Sequence, residues 1–493
     1  MMPIANARKI SGKPEPPSAG DRERTIKNIR RLIWLYLFLL IFEGALRKWI
    51  LPQFSAPLLI IRDPVAIAIY VLALRARVFP FNFYTVSIVV LAILSWAAGI
   101  LVLSPYVAIK TVLLITAYGV RCDFLHLPLI FVIPAVMDME DVKRIGWWTL
   151  VGMIPMGILM AIQFNSSPES FINTAAGLGE GMQIGAGGGR IRPPGTFSFI
   201  SGAVYYLSAV AAFFIHAVLA KIPYQKWLLG LVGGSLLVGM GVSGSRSAVL
   251  AVGVVVASLA LVLLVRPTLV GKVGRYILLA ALMLWAISYL PVFREGIDIL
   301  SDRFEEAAED SNSSVVGGLV TRTAGGFIEG LESLPRVPLG GFGLGVGTNG
   351  GANFLVGHAE FLLAENEWSR ILEESGPILG LAFLLWRCAV TFRIGRLAVR
   401  QLTFGNVLPL FLFSAGIFDL LEGPFGQPTS LGFAVVFAGL SLAAREREND
   451  EVEPPEEAEE PEKKPHLVGR SVYAERLHGS RAGSHRSHGS FDR

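Results

Sequence analysis

Residues 227–265 read WLLGLVGGSLLVGMGVSGSRSAVLAVGVVVASLALVLLV, two hydrocarbon runs, 227–242 and 248–265, separated only by Ser243-Gly244-Ser245-Arg246-Ser247. Apolar runs of roughly 17–25 residues, coiled as helices, match the hydrocarbon thickness of a bilayer. The stretch therefore reads as two membrane spans joined by a tight turn. Arg246 then stands at a membrane boundary among small side chains that leave room for a ligand. A charge in such a place is costly, and a costly charge is a candidate functional group.

The remainder of the chain agrees with that reading. Of 493 residues, 53% are hydrophobic and 17% charged, with a mean hydropathy of +0.55, whereas a soluble domain carries about 25% charged residues. We expect an all-α polytopic membrane protein. Further apolar stretches at 32–50, 57–74, 83–103, 106–137, 145–164, 197–220, 276–293, 372–392, 404–422 and 429–444 bring the expected total to about twelve spans. The 106–137 stretch is too long for one helix and carries Arg121-Cys122-Asp123 in its middle. It reads as two short spans, or as one span with a re-entrant piece.

Three segments follow: an N-terminal segment 1–31, a transmembrane domain 32–444, and a tail 445–493. The first shows no short apolar core with a cleavage site, so no cleaved signal peptide is expected. The tail is acidic and proline-bearing over 446–462, then rich in His, Arg, Ser and Gly, with His478, His485 and His488. Its composition predicts disorder. Cys122 and Cys388 cannot supply a disulfide framework. A net charge of +4 is small for this length and excludes general nucleic-acid binding.

Orientation comes from the basic residues, which concentrate in short cytoplasmic loops. The N-terminal segment carries Arg22, Arg24, Lys27, Arg30 and Arg31, which places both termini inside. With 106–137 counted as a single net crossing, Lys143 and Arg144, Lys221 and Lys226, and Arg266 also fall inside. The Ser-Gly-Ser-Arg turn and the long connectors 165–196 and 294–371 then face outward, the larger lying between the ninth and tenth expected spans. Structureless connectors longer than about 15 residues are uncommon unless functional or disordered.

Both long connectors carry candidate chemistry. The first is glycine-rich from Gly177 to Gly189 and ends Arg190-Ile191-Arg192-Pro193-Pro194-Gly195-Thr196-Phe197. Paired guanidinium groups beside a rigid Pro-Pro step suit an anion cradle, because arginine binds phosphate oxygens in bidentate fashion. Interfacial anchoring to lipid headgroups fits the same residues equally well. The second holds an amphipathic piece at 298–309, Arg322, the run Pro338-Leu339-Gly340-Gly341-Phe342-Gly343-Leu344-Gly345, His358 and Glu360. It closes with Glu365-Asn366-Glu367-Trp368-Ser369-Arg370-Ile371-Leu372-Glu373-Glu374-Ser375-Gly376. As a helix, that segment places Asn366, Arg370 and Glu374 on one face. Its carboxylates are candidate general bases, although acidic residues there also suit a helix N-terminus. Near the first span, Glu43, Arg47, Lys48, Arg62 and Asp63 are expected to pair with one another, the usual fate of charges at such depth, the alternative being that they extend an anion site.

Taken in order, Arg-x-x-x-Gly-Thr-Phe entering a span, Ser-Arg-Ser-Ala between spans, Arg322 before Pro-Leu-Gly-x-Phe-Gly-Leu-Gly, and Glu-Asn-Glu-Trp leading to Glu-x-Gly resemble the O-antigen ligase and Wzy-type polysaccharide polymerase superfamily. The resemblance covers residues 186 to 390. It implies a GT-C-like membrane glycosyltransferase acting on polyprenyl-pyrophosphate-linked glycans at the outer face of the bacterial cytoplasmic membrane. Its partners would be a lipid-linked oligosaccharide donor, a glycan or lipid-linked acceptor, and other polysaccharide assembly and export proteins.

By the same resemblance, Arg192, Arg246 and Arg322, with Arg190 as an alternate, hold the pyrophosphate. Glu365, Glu367 or His358 activates the acceptor, with Asn366, Arg370 and Glu374 in support. Ligases of the superfamily typically carry His-Asn where this chain has Glu365-Asn366, a departure that favours a polymerase or an uncharacterised relative over a lipid A-core ligase. No metal and no other cofactor is expected, since arginine charge can stabilise a departing pyrophosphate. A secondary transporter or lipid-linked glycan flippase is the competing class, and a non-catalytic component of an export machine a third.

Overall fold

The computed structural model describes residues 19–176, 183–220, 222, 224–311, 325–358 and 360–446. The tail beyond Glu446, Arg322 and part of the 177–189 glycine run lie outside the described residues.

The protein is a helical membrane protein. Its helices are α1 (Ala19–Ala45), α2 (Ser55–Leu58), α3 (Arg62–Arg75), α4 (Phe83–Leu103), α5 (Ile109–Val120), α6 (Leu129–Val136), α7 (Met139–Asn165), α8 (Ile200–Leu219), α9 (Lys226–Val242), α10 (Arg246–Val265), α11 (Val270–Ile287), α12 (Pro291–Ser311), α13 (325–333), α14 (Asn349–Val356), α15 (Glu367–Arg400), α16 (Leu408–Glu422) and α17 (Pro428–Ala443). Among the described residues, 5 helices are long and apolar enough to cross a bilayer, or up to 8 when each bent pair counts as one crossing. Among the described residues, one antiparallel ribbon, β1 (Gly185–Gly187) with β2 (Arg190–Ile191), interrupts the helical pattern inside the first long connector.

Burial sorts the helices into an inner and an outer set. The spanning window of α8 is 78% buried, while those of α4 and α10 are 22% buried. On α4 the side chains of Val86, Val89, Val90, Ile93, Leu94 and Leu101 are exposed. An apolar outer face of this kind is what a helix presents to lipid, since no hydrophobic gain comes from hiding it. Inner helices instead approach closely through small residues. A Cβ on Gly416 of α16 would sit 2.7 Å from Cδ2 of Phe437 on α17, so the aromatic ring lies directly on the neighbouring backbone.

Local sequence fixes several boundaries. Asn82 caps α4, accepting from the Tyr84 and Thr85 amides while Thr85 answers the Asn82 amide. Asp138 and Asp141 make the same reciprocal box at the start of α7. Each box satisfies backbone donors that a helix start leaves open.

The expected 106–137 stretch is broken: α5 passes through a π turn at Arg121–Leu125 into α6, with a bend of 42°. The apolar stretch 276–293 likewise does not continue outward as loop. Pro291 opens α12, which turns 104° from the preceding helix and takes up the amphipathic piece expected at 298–309. Proline suits a first helical position because its missing donor would have no partner there.

Helix α10 has 20 residues, so at about 1.5 Å rise its ends stand about 30 Å apart. Arg246 marks one end and Arg266 caps the other. The start of α1 belongs to the Arg266 end, because Arg30 pairs with Asp141 at 3.4 Å and donates to Val136 O at 2.5 Å, and Lys143, Arg266 and Glu446 line one cavity. The two long connectors belong to the Arg246 end.

Candidate functional site

Three arginines from three separate segments meet where the first long connector, the Ser-Gly-Ser-Arg turn and α12 come together. Arg246 donates through Nη1 to the backbone oxygen of Arg303 at 3.0 Å. Arg303 donates through Nη1 to Ala186 O at 3.2 Å, and Arg192 through Nε to Gly185 O at 3.1 Å. Thus the carbonyls of β1 orient the guanidinium groups of Arg192 and Arg303. The ribbon is held in turn by the Arg192 amide on Ile184 O at 2.8 Å.

Small residues make the convergence possible. Gly244 has φ +54, and a Cβ on it would stand 2.8 Å from the Ala186 Cβ and 3.7 Å from Cγ of Arg192. The Arg192 stem therefore packs across the turn backbone. On the other side a Cβ at Gly296 of α12 would lie 2.9 Å from the Gly241 carbonyl carbon, which lets α12 rest on the end of α9.

Like charges oppose one another within the cluster. Burial, then the positive charges of Arg303 and Arg246, hold the Arg192 guanidinium below the basicity arginine ordinarily has. Among the described residues neither Arg192 nor Arg303 forms an ion pair. A guanidinium offers five donors, and these two each spend one on a backbone oxygen. Such a group is suited to an anion of more than one negative charge with several acceptor oxygens.

Arg190 is placed differently. One edge of it is bound bidentately by Glu295 of α12, Nε to Oε1 at 2.7 Å and Nη2 to Oε2 at 3.0 Å, and Nη1 donates to Asn165 O at 3.2 Å. Its charge is used to tie the ribbon to α12 and the end of α7.

The segment from Glu365 onward forms a second group. Glu365 is exposed, immediately before α15. Asn366 caps that helix by accepting from Trp368 N at 3.0 Å, and its amide reaches Glu329 of α13 at 3.4 Å. Glu367 is buried and accepts from Arg370 at 2.9 Å, Arg387 at 3.1 Å and the Phe425 amide at 3.1 Å. Arg370 also pairs with Asp123 at 2.7 Å and Glu374 at 3.0 Å. The expected four-residue contact between Arg370 and Glu374 is therefore present, whereas Asn366 serves as a cap.

Glu374 explains the glycine-rich run before it. Its two carboxylate oxygens accept the amides of Gly345 at 3.0 Å and Gly347 at 2.8 Å, and Phe342 N donates to Glu373 O at 2.7 Å. The run 338–347 is thus a backbone cradle for a carboxylate of the same protein. His358 is exposed and faces Glu360 at 3.1 Å.

Of the charges near the first span, Glu43, Arg47 and Arg62 pair with one another as expected, whereas Asp63 takes partners from outside that set. Glu43 meets Arg47 at 3.5 Å and Arg62 at 3.1 Å, while Asp63 takes Arg121 at 2.5 Å and His126 at 3.0 Å. Lys48 departs from the pattern, donating to Gly195 O at 2.8 Å beside the first long connector. Arg303 and Arg387 escaped the sequence reading, and Asp123 entered it only as part of the break in the 106–137 stretch. Arg303 lies in an amphipathic stretch where a charge signals nothing unusual; Asp123 and Arg387 sit in apolar runs, and their expense at that depth is the signal that could have marked them. Among the described residues no cluster of His, Cys, Asp and Glu could hold a metal ion.

No protein-family model matches this chain, and neither a curated protein nor a solved structure is significantly similar to it.

Proposed function

We propose that this protein is a membrane glycosyltransferase that polymerises or ligates polyprenyl-pyrophosphate-linked glycans at the outer face of a bacterial cytoplasmic membrane. The observation that carries this reading is the meeting of Arg192, Arg246 and Arg303, whose mutual repulsion Arg192 registers. A pyrophosphate leaving group carries the charge and oxygens that relieve this repulsion, and its charge rises as the glycosidic bond breaks, when fixed cations are most effective. Arg303 enters the role alongside Arg192 and Arg246; Arg190, held by Glu295, positions the ribbon. Glu365 is the proposed base, because it is exposed while Glu367 is committed to two arginines. The reading includes about twelve crossings, a GT-C-like arrangement and cytoplasmic termini, the last from the basic residues at the Arg266 end.

The test uses the purified full-length protein in liposomes with a lipid-linked oligosaccharide. Glycan growth or transfer that is lost in Arg246→Ala and Glu365→Ala supports the reading. Movement of the lipid-linked substrate across the bilayer without transfer sinks it and establishes the transporter class, which the ion network of Asp123, Glu367, Arg370 and Arg387 would then serve.

A further inference from the structure

At the other end of the bundle, about 30 Å from Arg246 along α10, a cavity of ≈ 980 Å³ opens between the start of α7, the ends of α8 and α10, and the turn before α16. That volume is at the upper end of ordinary ligand sites, about 300–1,000 Å³. Lys143, Arg144 and Arg266 line it, opposed by Glu140 and Glu446. Glu140 is spent on Lys143, at 2.6 Å, and among the described residues Arg144 and Arg266 form no ion pair.

Two features show that the cavity is built rather than incidental. Arg266 is seated against backbone: a Cβ on Gly405, whose φ is +90, would stand 2.9 Å from its Nη1, so the turn before α16 is shaped around the guanidinium. His216, in the last turn of α8, lines the same cavity with only 7% of its surface exposed, and neither ring nitrogen has a hydrogen-bond partner. Buried polar atoms in folded proteins are nearly always satisfied, by protein, water or ligand. A buried imidazole without a partner, beside two arginines that form no ion pair with Glu140 or Glu446 of the same lining, suits an acceptor that is also an anion.

The place suggests which anion. Trp147 lines the cavity and packs edge-on against Trp148, with ring centroids 4.8 Å apart. Tryptophans at the end of a spanning helix sit at headgroup level, and basic pockets between helices at that level take anionic headgroups. We propose that this cavity binds the phosphate of a net-anionic phosphate ester, with Arg144 and Arg266 as charge partners and His216 donating to a phosphate oxygen. The inference needs the membrane setting alone and is independent of the proposed glycosyl transfer.

The experiment is thermal unfolding and native mass spectrometry of the full-length protein in detergent. Phosphatidylglycerol, phosphatidylcholine and inorganic phosphate are added separately. Phosphatidylglycerol should be retained and should raise the melting temperature; phosphatidylcholine, which has the phosphate but no net charge, should do so much less. Arg144→Gln and Arg266→Gln should each weaken retention about tenfold, the loss of one charge-assisted contact. His216→Phe should weaken it with the cavity still filled. Because Arg144 is exposed, its replacement leaves the fold in place even where Arg266→Gln does not. Equal stabilisation by inorganic phosphate assigns the site to a free phosphate. Phosphatidylglycerol retained equally by Arg144→Gln and His216→Phe, or no preference over phosphatidylcholine, overturns the proposal.

Discussion

Arg190 and Glu295 meet edge to edge, with two hydrogen bonds at 2.7 and 3.0 Å joining the ribbon of the first long connector to the first turns of α12. The pair spans 105 residues of sequence. Glu295 is 41% exposed and Arg190 28%, so solvent screens the attraction. Its consequence is positional: it keeps Arg303, two turns further along α12, beside Arg192. A double-mutant cycle of Arg190→Gln and Glu295→Gln should show a coupling of about 0.5–1 kcal/mol in unfolding free energy. A larger loss of transfer activity should accompany it, rescued in part when the two residues are exchanged. No coupling would leave the pair without a positioning role.

The arginine corner should be stabilised by polyanions. Pyrophosphate should raise the melting temperature more than chloride at equal ionic strength, and the increment should fall sharply in Arg192→Gln and Arg303→Gln. Each loss corresponds to about 1.5–3 kcal/mol of binding. An increment unchanged in both variants would place the anion elsewhere.

Glu365 and Glu367 should separate chemistry from stability. Glu365→Gln should lower the transfer rate by about 10²–10⁴-fold, the range for a lost general base, with an unfolding midpoint near that of the unaltered protein. Glu367→Gln removes a charge buried between Arg370 and Arg387 and should cost about 3–5 kcal/mol of stability. Equal behaviour of the two variants in both measurements would refute the distinction.

Gly244→Ala tests the turn. The position has φ +54 and a new Cβ would meet that of Ala186 at 2.8 Å. A left-handed conformation costs a residue with a Cβ about 1–2 kcal/mol, and the clash also pushes the ribbon off Arg192. Weakened pyrophosphate binding in a folded protein is the expected outcome, read by isothermal titration; unaltered affinity would show that the turn does not set the corner.

Much of the architecture follows from composition. The apolar runs that became α4, α7, α8 and α10 were legible because a bilayer imposes one length and one chemistry on any helix that crosses it. The break at Arg121-Cys122-Asp123 was legible too, as charges inside an overlong run. The sequence could not show that Arg121 turns to Asp63 and Asp123 to Arg370, because a π turn sets those directions and hydropathy has no signature for it. Nor could it show that the glycines of 338–347 enclose Glu374, since the same run reads equally well as a cradle for a bound anion.

By itself, then, the sequence determined that the chain is helical and lives in a membrane, and that Arg192 and Arg246 are charges in costly positions. Those properties are local: each follows from the hydrocarbon around a residue and the length of the run that holds it. The tertiary structure decided which charges are spent and which are gathered. Arg190 goes to Glu295 and Glu367 to two arginines, while Arg303, unremarkable in its own helix, joins Arg192 and Arg246. Such assignments depend on contacts between segments far apart in the chain, set by the close approach of α9, α12 and the ribbon at Gly241, Gly244 and Gly296.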